Sequence, residues 1–128
     1  MQQLNFISPL FIVDNLKDAV SFYIDKLGFK LLHITPGDAP FFAMLGRDNA
    51  VIMLKKIADD INPVPNHTRH KWARLDAFIS TTEPDALFEE FRSRGITFRQ
   101  SLMNDDDGLR GFEIADADGY VLFFGRPV

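Results

Sequence analysis

The feature that most constrains this chain is that one structural unit is written twice. "SPLFIV" (Ser8 to Val13) reads as a strand, and Asn15 then stands as a helix N-cap, with Asp18 three residues on to favour the free amides of the first turn. Leu16, Ala19, Val20, Tyr23 and Leu27 follow at helical spacing, and Gly28 is placed to end that helix in a left-handed conformation. "FKLLHIT" (Phe29 to Thr35), "FFAML" (Phe41 to Leu45) and "AVIML" (Ala50 to Leu54) are three more strands, the last two joined by a Gly46-Arg47-Asp48-Asn49 hairpin turn. The order then returns. "LDAFIS" (Leu75 to Ser80) is a strand, Thr82 is the expected N-cap, and Pro84 fits the first helical turn. Leu87, Phe88 and Phe91 form the apolar stripe, and Gly95 stops the helix. "ITFRQS" (Ile96 to Ser101), "GFEIA" (Gly111 to Ala115) and "YVLFF" (Tyr120 to Phe124) complete the set, the last entered through an Asp116-Ala117-Asp118-Gly119 turn. Asp18-Ala19 recurs as Asp85-Ala86, and Gly28-Phe29 as Gly95-Ile96, over equal intervals.

The expected fold is therefore α+β, with two βαβββ modules in tandem. Module one spans about residues 5–58, a proline-interrupted linker about 59–72, and module two about 73–128. One helix covers only one face of a four-stranded sheet. The bare faces are expected to cover each other or to enclose a cavity, and a homodimer is expected.

Composition narrows the function. A net charge of −4 with no basic block argues against nucleic acid and against an anionic membrane as partners. The absence of cysteine excludes disulfides, thiolate metal sites and thiol nucleophiles. The start "MQQLNFISPLF" lacks the pattern of a signal peptide, and no apolar run is long enough to span a bilayer, so a cytoplasmic protein is expected. Phe is unusually common at 13 residues, which favours a thick core or an aromatic-lined cavity.

"PLFIVDNLKDAVSFYIDKLGFKLL" (Pro9 to Leu32) and "GFEIADADGYVLFFGRP" (Gly111 to Pro127) resemble the vicinal oxygen chelate (VOC) superfamily, which includes glyoxalase I, extradiol dioxygenases, fosfomycin-resistance enzymes and bleomycin-resistance proteins. The resemblance covers nearly the whole chain, so residues 1–128 are read as a single VOC domain. It is specific for fold and weak for activity, because the fold hosts many chemistries. Metal-dependent relatives take one ligand from each first and last strand of the two modules. Those places fall here on Ser8, Met53, Asp76 and Phe123, and only Asp76 is a good ligand for a hard divalent cation. The resemblance thus implies the cup without the metal, and no cofactor is expected.

The remaining candidates come from the residues themselves. Asp76 and Glu113 sit in otherwise apolar strands, where a carboxylate either finds a partner or serves a cavity, so both are candidate acid–base groups. Ser8, Leu10, Met53, Trp72, Asp76, Phe78, Phe112 and Phe123 are candidate ligand-binding residues, and ordinary core packing competes for each of the aromatics. Strand alternation groups Leu10, Ile12 and Phe78 with Ser8 and Asp76 on the cavity side, and Phe11, Val13, Ala77 and Ile79 beneath the helices. His67 and His70 form an H-x-x-H pair, but no third ligand stands at a supporting spacing. "NDDDGLRGFE" has calcium-loop composition without the acids at its ends. Three functions follow in order: a metal-free protein that binds a small aromatic or cationic ligand, as bleomycin-resistance proteins do; a metal-free enzyme using Asp76 or Glu113; and a metal-dependent lyase, isomerase or dioxygenase.

Overall fold

Each copy of the repeat folds into a four-stranded mixed sheet carrying one helix. The structure, a computed structural model, describes residues 1–128. The chain divides into two compact units, Met1–Pro63 and Val64–Val128. The first contains β1 (Leu10–Ile12), α1 (Leu16–Leu27), β2 (Lys30–Ile34), β3 (Phe42–Arg47) and β4 (Ala50–Lys55). The second contains β5 (Ala77–Ser80), α2 (Pro84–Ser93), β6 (Phe98–Asn104), β7 (Leu109–Ala115) and β8 (Val121–Pro127). Strand order is β1-β4-β3-β2 in one sheet and β5-β8-β7-β6 in the other, so the two share one topology. In each, the first strand pairs in parallel with the last and the other neighbours are antiparallel.

Local chemistry explains the helix boundaries. Asn15 Oδ1 accepts from Asp18 N at 3.0 Å, satisfying one amide that the helix itself leaves free. Gly28 takes φ 72 and closes the other end, a conformation that costs a β-carbon-bearing residue more. The second helix starts differently from the expectation at Thr82. Glu83 is the residue before its first turn and makes no side-chain cap, while Thr81 Oγ1 accepts from Glu83 N at 3.1 Å. The threonine that enters α2 thus closes a short local turn ahead of the helix. In the β3–β4 hairpin Arg47 still pairs with Ala50, which narrows the expected four-residue turn to Asp48 and Asn49.

The cores lie between each sheet and its helix. In the first unit Phe11, Val13, Ala19, Tyr23, Leu27, Ala43, Leu45, Ile52 and Leu54 are buried. The second unit is aromatic where the first is mostly aliphatic. Phe112 meets Phe88, Phe91, Phe98 and Phe124 at ring distances of 5.4 to 5.8 Å, the first three edge to face and the last stacked. Five of the chain's 13 Phe are consumed here, so much of the Phe excess is core. The segment before β5 folds onto the second unit. A short 3-10 turn, Asn66–Thr68, is fastened by Asn66 Nδ2 donating to Leu75 O at 3.0 Å and by His67 Nε2 at 3.1 Å from Gly119 O. The β7–β8 turn is closed by Asp116 Oδ1, which accepts from Asp118 N and Tyr120 N, both at 2.9 Å. No helix is long and apolar enough to cross a membrane.

Candidate functional site

The face of the second sheet away from α2 carries one continuous row of side chains. Register pairs Phe78 with Phe123, Phe123 with Glu113, and Glu113 with Gln100, and directly paired residues project to the same side of a sheet. Half the row is aromatic and half polar.

The aromatic half rests on a glycine floor. Gly111 and Gly125 are register partners, and a β-carbon on either would lie 2.6 Å from the Phe123 ring. The ring therefore lies down over the two glycines instead of standing off the sheet. Phe78 stacks on it at 5.2 Å and 20°, leaving Phe123 only 2% exposed while Phe78 itself is 47% exposed. Trp72 is 82% exposed and meets His70 edge to face at 5.8 Å. Trp72, Arg74, Leu109, Asp107, Glu113 and Phe123 are among the residues around a cleft of about 340 Å³, near the lower end of the range for small-molecule sites.

The polar half is built around a buried carboxylate. Glu113 is 3% exposed. Its Oε2 accepts from Arg74 Nη2 at 2.7 Å, and the same nitrogen donates to Gln100 Oε1 at 2.8 Å. Arg99 Nη1 stands 3.6 Å from Glu113 Oε1, close enough for charge attraction and too far for a good hydrogen bond. Arg99 also donates to Arg74 O at 3.4 Å. Glu113 Oε1 and Gln100 Nε2 are buried without a hydrogen-bond partner.

The sequence-derived candidates separate in this frame. Asp76 fastens the fold: Oδ1 accepts from Asn66 N at 2.9 Å and Oδ2 from Val121 N at 2.8 Å, tying the 3-10 turn to the start of β8. With both oxygens engaged by backbone amides, its role here is to hold the fold. Phe112 is corrected outright. It is fully buried in the aromatic layer against α2, on the opposite face from Glu113, and cannot line a site there. Phe123 and Phe78 do share the open face. In the first unit Leu10 pairs with Met53, Met53 with Met44, and Leu10 is half exposed. Ser8 Oγ donates to Pro9 O at 3.0 Å. His67 and His70 are engaged separately, His67 at Gly119 O and His70 Nδ1 accepting from Trp72 N at 3.1 Å. Arg74, Arg99, Gln100, Gly111 and Gly125 were not among the candidates. The apolar strand around Glu113 implied a partner for the carboxylate, and the fold brings Arg74 to it from the segment before β5.

A metal centre does not fit these residues. Met53 and Phe123 offer no oxygen, the Asp76 oxygens are occupied, and no group of three or more His, Asp or Glu is assembled to hold an ion. A second cleft, of about 520 Å³, lies in the first unit beside the start of α1. Its Lys56 is already shared between Asp14 at 3.9 Å and Asp59 at 3.5 Å.

Comparison with known proteins agrees with the topology. The model of the Glyoxalase/Bleomycin resistance protein/Dioxygenase superfamily matches residues 3–124, and the chain belongs to that superfamily. Among solved structures it is similar to the bleomycin-binding protein of bleomycin-producing Streptomyces verticillus complexed with copper(II)-bleomycin, at 23% identity, 97% coverage of both chains and a TM-score of 0.68. It is similar to TnmS3, an antibiotic-binding protein from Streptomyces sp. CB03234, at 19% identity, covering 100% of this chain and 99% of that one, with a TM-score of 0.72. A glyoxalase-related enzyme from Clostridium phytofermentans shares 15% identity, with 99% and 98% coverage and a TM-score of 0.75. No curated protein sequence matches significantly. At these identities the structural likeness establishes the fold, which binders and enzymes share.

Proposed function

We propose that this member of the superfamily is a metal-free binding protein that takes a flat aromatic, preferably cationic, small molecule onto the open face of its second sheet. The carrying observation is the aromatic platform: Phe78 is half exposed over a buried Phe123 that two glycines hold flat, with Trp72 exposed at the neighbouring cleft. A planar ligand would stack on Phe78 and Trp72, and the Asp107 carboxylate at the cleft favours a cation. The bleomycin- and antibiotic-binding relatives are consistent with this use of the fold. A homodimer would cover the large exposed side chains of both units.

Proflavine, a flat tricyclic cation, tests the platform. Trp72 is the chain's only tryptophan, so saturable quenching of its fluorescence reports on this region. Phe78→Ala is expected to weaken proflavine about tenfold. Equal affinity in wild type and variant would overturn the proposal. Elemental analysis of protein purified without chelators is expected to find less than stoichiometric zinc, nickel or iron, and one metal per chain would contradict the metal-free reading.

One observation favours a second reading, a metal-free enzyme. Glu113 is buried and has an oxygen without a hydrogen bond, as a general base awaiting substrate would. Asp76 fits that role less well because both its oxygens are bound. Turnover lost in Glu113→Gln with ligand affinity retained would select the enzyme.

A further inference from the structure

The polar half of the row is incomplete in a directional way. Arg74 Nη2 donates to Gln100 Oε1, which fixes the amide orientation and leaves Nε2 as the free end. The same nitrogen donates to Glu113 Oε2, leaving Oε1 as the free oxygen, with only the longer approach of Arg99 Nη1 at 3.6 Å. One arginine thus holds two register partners and leaves a donor on one and an acceptor on the other. Buried polar atoms are almost always paired, so two adjacent unpaired ones of opposite sense form a complementary imprint. A group that accepts from Gln100 Nε2 and donates to Glu113 Oε1 satisfies both, and a carboxamide does this through its C=O and N–H.

From this we infer that Gln100 and Glu113 determine specificity by reading a carboxamide, or an isosteric cis donor–acceptor pair, attached to the aromatic ligand. The inference rests on the aromatic-platform reading and adds the chemical class of the ligand. Both atoms are closed to water in the free protein. The Arg74 side chain, 49% exposed against 4% for Glu113, reaches from this pair to the surface and marks the side from which a ligand approaches while the guanidinium keeps both bonds. The platform stands next in the row, since Phe123 is the register partner of Glu113. The carboxamide and the ring it is attached to thus meet adjacent parts of one surface. A site built to pair a polar group discriminates strongly against an analogue lacking it, because its own atoms are then left buried and unpaired.

Calorimetry with three probes, quinoline, methyl quinoline-3-carboxylate and quinoline-3-carboxamide, tests this. The ester keeps the acceptor and lacks the donor, and quinoline lacks both. Wild type is expected to bind the carboxamide roughly tenfold more tightly than the ester, and the ester more tightly than quinoline. Glu113→Gln should collapse the carboxamide-to-ester ratio to about one, because the donor has lost its anionic acceptor. Gln100→Leu should instead collapse the ester-to-quinoline ratio, since both carbonyl probes lose the same donor. If Glu113→Gln does not fold, Gln100→Leu still decides. Three equal affinities, or ratios unchanged in the variants, would overturn the carboxamide inference while leaving the platform intact. No binding of any probe would overturn both.

Discussion

The two sheets have the same strand order, the same parallel closing pair and the same helix placement, yet their open faces differ in kind. The first presents Leu10, Met44 and Met53, flexible apolar side chains, with His33 and Lys55 at neighbouring register positions on the same face. The second presents Phe78, Phe123, Glu113 and Gln100, with the ring seated on glycines and the carboxylate held by arginines. The frame comes from hydrophobic patterning and caps, which both copies retain. The chemistry comes from a few open-face positions that helix packing leaves unconstrained. The proposed binding function places recognition in the second copy alone.

The largest expected effect lies in the aromatic layer beneath the second sheet. Phe112→Ala removes a fully buried ring that touches four others, and should cost about 3–5 kcal/mol by denaturant unfolding. Leu45→Ala, buried at the matching layer of the first unit, is expected to cost less, about 2–3 kcal/mol. A reversed order would break the claim that the second core is the more tightly interlocked.

Glycine substitutions sharpen the comparison. A β-carbon at Gly111 would run into the Phe124 carbonyl oxygen and the Phe123 ring, so Gly111→Ala must move backbone or platform, at about 1–3 kcal/mol. At Gly46 in the first sheet the nearest atom is Leu32 Cδ1 at 2.8 Å, the end of an exposed and flexible side chain. Gly46→Ala should cost less than about 1 kcal/mol. Equal costs in thermal melts would mean that the glycine floor is not special.

The strand-entry positions give a smaller contrast. Asp76→Ala strands two amides and should cost about 1–3 kcal/mol. Ser8→Ala loses one bond to the neighbouring carbonyl and should change stability by less than about 0.5 kcal/mol. The smallest effect is pH-dependent. Burial raises the Tyr120 phenol above its ordinary value of 10.0, partly countered by a hydrogen bond to the Val64 backbone. Raising a folded-state pKa favours the protonated phenol. This contribution is therefore full below about pH 10 and lost as pH rises through the raised folded value. Tyr120→Phe should flatten the alkaline limb of a stability–pH curve and leave its acid limb unchanged.

The repeat, α1 with both its caps, and every strand could be read from the sequence, because hydrophobic period and capping chemistry are local. Strand ends moved by one to three residues, and Thr82 gave way to Glu83 because a nearby threonine closed a turn first. The site was legible only in part. "GFEIA" alternates, so Phe112 and Glu113 must face opposite sides, but one strand alone does not say which side holds the helix. Phe78 and Phe123 followed from alternation. Arg99 and Gln100 did not, because β6 is irregular between Phe98 and Gln100 and again before Met103, and Arg74 did not, because it lies outside any strand, just before β5. Such bulges set which residues meet across strands, and no local pattern encodes them.

Amide chemical-shift mapping of a proflavine titration tests the central claim most directly, because it reads both sheets at once. The account predicts saturable shifts centred on Phe78, Gly111, Glu113, Phe123 and Gly125, and exceeding those at Leu10, Met44 and Met53 in the first sheet. Shifts centred on the first sheet, or none at saturating proflavine, would contradict it.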